Sequence, residues 1–169
     1  TPTTPGGGKI LTGQSVDLGS QTIGTSGGTF TINKPDDPLN GFQISVPANG
    51  FTQPQTFAVS YAPITSHQLG SFINPASPLI PITCGGGYSA SAMKLKVPIK
   101  LPAGCFAMGF IYDETTGSIE PLPVARLDSA SVTISTRHLS PSDAQLGKGL
   151  RKSANLASGT IFISYILFS

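Results

Sequence analysis

The stretch Thr136-Arg137-His138-Leu139-Ser140-Pro141 holds an imidazole and a hydroxyl two positions apart. Those are the residue types of a general base and a nucleophile, and on an extended chain residues i and i+2 share a face. If Val132 and Ile134 of SVTISTRH point into a core, the same alternation carries Thr136, His138 and Ser140 onto that face. A serine attacking the peptide carbonyl just before it also needs a strained bond and donors for the oxyanion. The competing reading is a strand-final histidine followed by a polar Ser140-Pro141-Ser142-Asp143 turn. Pro141 restricts Ser140 to extended backbone, which is compatible with either.

Other reactive side chains are scattered. His67 lies in ITSHQLG, read as a loop, and pairing it with His138 gives no third ligand of metal-site quality. Asp113 and Glu114 adjoin in YDETTG, where a hairpin turn explains them, since adjacent strand residues face opposite ways. Asp36 and Asp37 in NKPDDPLNG, with Asn33 and Asn40, offer oxygens to a calcium ion, but the spacing meets no ligand pattern and a bare acidic loop is the simpler reading. GGGK at residues 6–9 lacks the rest of a phosphate-binding loop. No metal and no cofactor is expected. Cys84 and Cys105 are read as two buried thiols, with a disulfide between them as the alternative if their strands are neighbours.

The elements that must position these residues are strands. With 20 Gly and 15 Pro in 169 residues the chain is rich in turns. Apolar residues alternate at Phe42-Ile44-Val46, Phe57-Val59-Tyr61, Met93-Leu95-Val97, Phe106-Met108-Phe110 and Val132-Ile134, the period of a half-buried strand. Further strands are expected at Ile10-Leu11, Gly28–Ile32, Pro78–Ile82, Ser118–Val124 and Gly159–Phe168. Roughly ten short strands separated by GTSGG, NKPDDPLNG, PANG, CGGG and LDSA predict an all-β antiparallel sandwich. Pro63, Pro81, Pro98 and Pro102 are expected at edges, bulges and strand ends.

The expected organisation is a Pro/Thr/Gly linker over residues 1–9, a sandwich over 10–145, and a linker plus terminal strand over 146–169. That strand either pairs within the sandwich or begins a further domain. Lys and Arg number 10 against 8 Asp and Glu, a net charge of +2 without a large basic cluster, so nucleic acid is not an expected partner. The apolar run Ile161–Phe168 is less than half the ~20 residues of a membrane-spanning helix. The opening TPTTPGGGK suits a mature secreted protein or a surface lipoprotein whose targeting segment has been removed.

The order of motifs resembles the ZU-five domain, the zona occludens and Unc-five module. GGTFTINKPDDPLNGFQISVPANGFTQPQTFAVSYAP is similar to its opening, with SVPANG in the place of "IPPGA". SPLIPITCGGGYSASAMKLKVPIKLPAG resembles its middle, which ends in "LPH". MGFIYDETTGSIEPLPVARLDSASVTISTRHLS resembles its close, which ends in "HFS". The likeness spans about residues 27 to 140; the chain has no Trp, and Leu139 stands where the family has Phe.

Some such domains and related adhesion-receptor domains cut themselves at His-Phe-Ser, His-Leu-Ser or His-Leu-Thr. The resemblance therefore implies an alternative in which Ser140 attacks the Leu139 carbonyl, His138 takes its proton, and the resulting ester is hydrolysed, breaking the Leu139-Ser140 bond. The main expectation is a non-enzymatic module of a secreted or cell-surface multidomain protein. Its partners would be other domains of that protein or a surface protein, and no oligomeric state follows from the residues. A carbohydrate-binding sandwich is the third reading; it requires an exposed aromatic platform, for which Tyr88 and Tyr112 are the residues to test.

Overall fold

The computed structural model describes residues 9–84, 89–114, 116–139 and 159–167, with side chains up to Tyr165. Among these residues there is no helix, and fourteen strands follow one another: β1 (Ile10–Thr12), β2 (Val16–Ile23), β3 (Gly28–Thr31), β4 (Gln43–Val46), β5 (Gln55–Tyr61), β6 (Ile64–His67) and β7 (Asn74–Pro75). Then come β8 (Ile80–Thr83), β9 (Met93–Pro98), β10 (Cys105–Tyr112), β11 (Ile119–Leu122), β12 (Val124–Leu127), β13 (Ser131–Thr136) and β14 (Gly159–Leu167). The fold is the antiparallel all-β sandwich that the alternation predicts. It has more than the expected ten strands because β2, β6 and β7 carry little apolar alternation, and because the run Ser118–Val124 is divided between β11 and β12.

One sheet has the order β11-β10-β14-β8-β5-β2, with β7 also paired to β14; the other runs β12-β13-β9-β4-β3. Their facing sides share one core. Phe57, Ile82, Ile111 and Ile163 enter it from the first sheet, and Ile44, Leu95, Val132 and Ile134 from the second. Each of these eight side chains is at most 1% exposed, and burying one such side chain contributes about 1.5–3 kcal/mol.

A third layer covers part of the first sheet's outer side. β1 pairs with β6 as a separate two-stranded sheet. Ile10 joins Leu79, Phe110, Tyr112 and Phe162 in a second apolar cluster, against which Ile64 also packs. The Ile10 N–H donates to the Tyr112 hydroxyl at 3.1 Å, which fastens this cover to β10. Strands β10 and β14 are therefore buried on both faces, and this explains why their sequences read as nearly continuous apolar runs.

The phase of β10 follows from that layering. Phe110, with Met108 packed beside it, faces the second cluster, and Ala107 and Ile111 face the main core. At Gly109 a Cβ would stand 2.6 Å from Ile134 Cγ2 across the sandwich, so the two sheets approach closely because that side chain is absent.

The C-terminal strand β14 is interior. It pairs with β10 from Cys105↔Leu167 to Tyr112↔Thr160 and with β8 on its other side, so the apolar run Ile161–Ile163 lies within the sandwich. Pro81 departs from its expected edge position, because it sits in β8 between two neighbours, opposite Thr160. The ladder there is short: only Ile82 and Thr83 pair with β5, which leaves the proline clear of that ladder.

Candidate functional site

Strand β13 enters the TRHLSP stretch with Val132 and Ile134 fully buried and Thr136 6% exposed. The strand ends there. The Thr136 hydroxyl accepts the His138 N–H at 3.2 Å and donates to the His138 carbonyl, a local side-chain turn that takes the chain out of its ladder. The next fully buried residue is Leu139, at 0% exposure in the main core, while His138 is half-buried. The alternation expected to run through His138 thus stops at Thr136. Ser140 lies outside the described residues, so the pairing of its hydroxyl with His138 is not part of the described structure.

Two segments that the sequence places far away meet this turn. The Arg137 Nε donates to the Ser89 carbonyl at 2.8 Å, and the Ser89 N–H donates to the Arg137 carbonyl at 3.0 Å. The Ala90 N–H donates to the Gly50 carbonyl at 2.7 Å. A Cβ on Gly50 would lie 2.8 Å from Ser89 Oγ, so the PANG turn closes tightly over Ser89 and a larger residue there would have to displace that hydroxyl. Ser89 is fully buried, and its hydroxyl has no hydrogen-bond partner among the described residues. Ser89 has no local signature in the sequence, being one serine in a polar glycine-rich stretch.

The remaining reactive groups hold separate turns. Asp37 has a side chain only 7% exposed. Its Oδ1 accepts the Leu39 N–H at 2.9 Å and its Oδ2 accepts the Tyr61 hydroxyl at 3.0 Å. Burial first, and then the hydrogen bond and charge of Asp37, raise the Tyr61 phenol above its ordinary value. Asn40 Oδ1 accepts the Lys34 N–H at 2.8 Å, so the side-chain oxygens of Asp37 and Asn40 are turned toward the loop's own backbone and β5. His67 ends β6 instead of lying in a loop, and its Nδ1 accepts the Leu69 N–H at 3.2 Å. Asp113 starts the β10–β11 hairpin turn, its N–H donating to the Ser118 carbonyl at 2.9 Å. Asp128 joins β12 to β13, where the Ala130 N–H and then the Ser131 hydroxyl hold its carboxyl below the usual range. Among the described residues no group of three or more His, Cys, Asp or Glu could hold a metal ion.

Cys84 and Cys105 are thiols and are not joined in a disulfide. β14 separates their strands: Ile82 pairs with Gly159 at one end of it and Cys105 with Leu167 at the other. Eight strand residues put them about 26 Å apart, against the ~7 Å limit for a bridge. Tyr112 is 6% exposed beneath the β1–β6 cover and offers no open aromatic surface, and Tyr88 lies outside the described residues.

The outer side of the five-stranded sheet is polar and open. Lys94 and Lys96 project from its central strand β9, and Gln43, Ser45, Arg126, Thr133 and the carboxylate of Asp128 join them in lining a groove of about 410 Å³. No protein-family model matches this sequence, and no curated protein matches it.

Proposed function

We propose that this chain is a non-enzymatic β-sandwich module of a secreted or cell-surface multidomain protein, ZU-five-like in its strand and motif order, serving a structural or protein-interaction role. The observation that carries the reading is the dispersal of its reactive side chains. Asp37, His67, Asp113 and Asp128 each accept a backbone N–H in a different turn and hold loops in place instead of facing one another around a substrate. The Pro/Thr/Gly-rich composition of residues 1–9, that of a flexible spacer, supports an extracellular or cell-envelope location.

Self-cleavage at Leu139-Ser140 is the second reading. It draws on the placement of β14 between β10 and β8, which would keep a severed C-terminal piece in the sheet. Intact mass of the purified chain and of Ser140→Ala separates the two. One uncut species in both supports the module. Two fragments in the wild type with one chain in the variant replaces it with the self-cleaving reading.

A further inference from the structure

The five-stranded sheet shows its outer face as two cross-strand rows of polar side chains. Arg126, Thr133, Lys96 and Gln43 are successive register partners across β12, β13, β9 and β4. Ser135, Lys94, Ser45 and Thr29 form the second row across β13, β9, β4 and β3. The inward residues of the same strands are the core side chains Ile44, Leu95 and Ile134, so alternation fixes these hydroxyl, amide and cationic groups on the outside.

Charge on this face is unbalanced. Arg126 has Asp128 at 3.9 Å, but Lys94 and Lys96, both exposed, have no carboxylate partner among the described residues. The 410 Å³ groove over the first row adjoins a second of about 240 Å³ over the other, and Ser45 and Lys94 line both. The five strands make a trough about 19 Å across, given a strand spacing near 4.8 Å.

We propose that this face binds a segment of anionic polysaccharide, with Lys94 and Lys96 pairing to its carboxylate or sulfate groups and Ser45, Gln43 and Thr133 hydrogen-bonding its hydroxyls. This rests on the module reading and names its partner. The lining favours a sugar over other polyanions. It has no aromatic ring on which a nucleobase could stack. Ala125 is the sole apolar residue of the main groove, which gives peptide side chains little to bury against. Recognition here is by charge and hydroxyl pairing, so the aromatic platform usual for neutral sugars is not required.

The test is calorimetric titration of the full chain with dextran sulfate and with polygalacturonate, beside neutral dextran, polyglutamate and single-stranded DNA, at low and at physiological salt. At least one of the two anionic polysaccharides should bind, neutral dextran should not, and salt should weaken the binding. Lys94→Gln/Lys96→Gln should weaken it about tenfold or more, since both cationic hydrogen-bond donors are lost. Lys9→Gln/Lys100→Gln, which removes the same charge elsewhere, should leave it within about twofold. Circular dichroism of both variants shows whether the fold persists, and Lys94→Arg/Lys96→Arg should retain binding. Binding to neither polysaccharide, equal loss in both glutamine variants, or stronger binding of polyglutamate or DNA overturns the proposal. Intact mass read on the same samples reports independently on the module reading.

Discussion

The Tyr61 hydroxyl donates to Asp37 Oδ2 at 3.0 Å and ties the loop after β3 to the end of β5. Tyr61→Phe removes the donor but leaves the carboxylate buried, with Lys34 Nζ at 3.9 Å as its cationic neighbour. Thermal or denaturant unfolding should show a loss of about 1–3 kcal/mol. A change below a few tenths would show that the tie contributes little.

The same pair sets a pH dependence. The fold prefers the protonated phenol, because burial and Asp37 both raise Tyr61 above its ordinary 10.0. Its contribution is fully present below that value and is lost as pH rises through the higher folded one. The stability difference between wild type and Tyr61→Phe, followed from pH 8 upward, should therefore shrink at the alkaline end. A constant difference would remove the ionisation from the explanation.

Gly109 and Ile134 set the sheet separation at the centre of the sandwich. Gly109→Ala places a methyl 2.6 Å from Ile134 Cγ2 and should cost about 1–3 kcal/mol through overpacking. Ile134→Ala alone should cost about 2–5 kcal/mol from the cavity it leaves. Because the added methyl would enter that cavity, the double variant should lose less than the two single losses together. Additive losses would mean that the two residues do not share the space.

The two thiols should differ in reactivity. Cys84 is 4% exposed, and its thiol donates to Gln55 Oε1 at 3.8 Å, while Cys105 is half-buried. A thiol reagent should label Cys105 first in the native protein and Cys84 only as the chain unfolds. Mass measured without reductant should carry both thiol hydrogens. Loss of two hydrogens would reveal a bridge that the strand order forbids.

Much of this was legible because alternation is a direct image of burial on one face. β4, β5, β9 and β13 have one side in the core and one in water, so Ile44, Val59, Leu95 and Ile134 stand out against polar neighbours. β2 does not show because it is an edge strand with Gly19 at a positive φ and a register shift beside it, and most of its residues are exposed. β10 shows its period without its phase. Both of its faces are covered, so the choice between Phe110 and Ile111 as the residue facing the main core depends on the β1–β6 layer, which local sequence does not announce.

The turn at Thr136 was hidden for a different reason. Whether a strand continues through His138 is decided by one threonine hydroxyl capturing the backbone two residues on, and by Leu139 finding room in the core. The meeting of Ser89 with Arg137 is a long-range contact and has no local signature at all. The exposed lysines of β9 were visible as an i, i+2 pair, but their isolation from carboxylates is a property of the assembled sheet.

The central claim is that the chain is a module and does not cut itself. An N-to-O acyl shift at Ser140 would leave an ester that hydroxylamine opens under conditions that spare peptide bonds, so mass spectrometry after prolonged incubation with hydroxylamine probes both the shift and the cut. The account predicts one species at the full 17.4 kDa. A pair of fragments divided between Leu139 and Ser140, with the hydroxamate on Leu139, would contradict it.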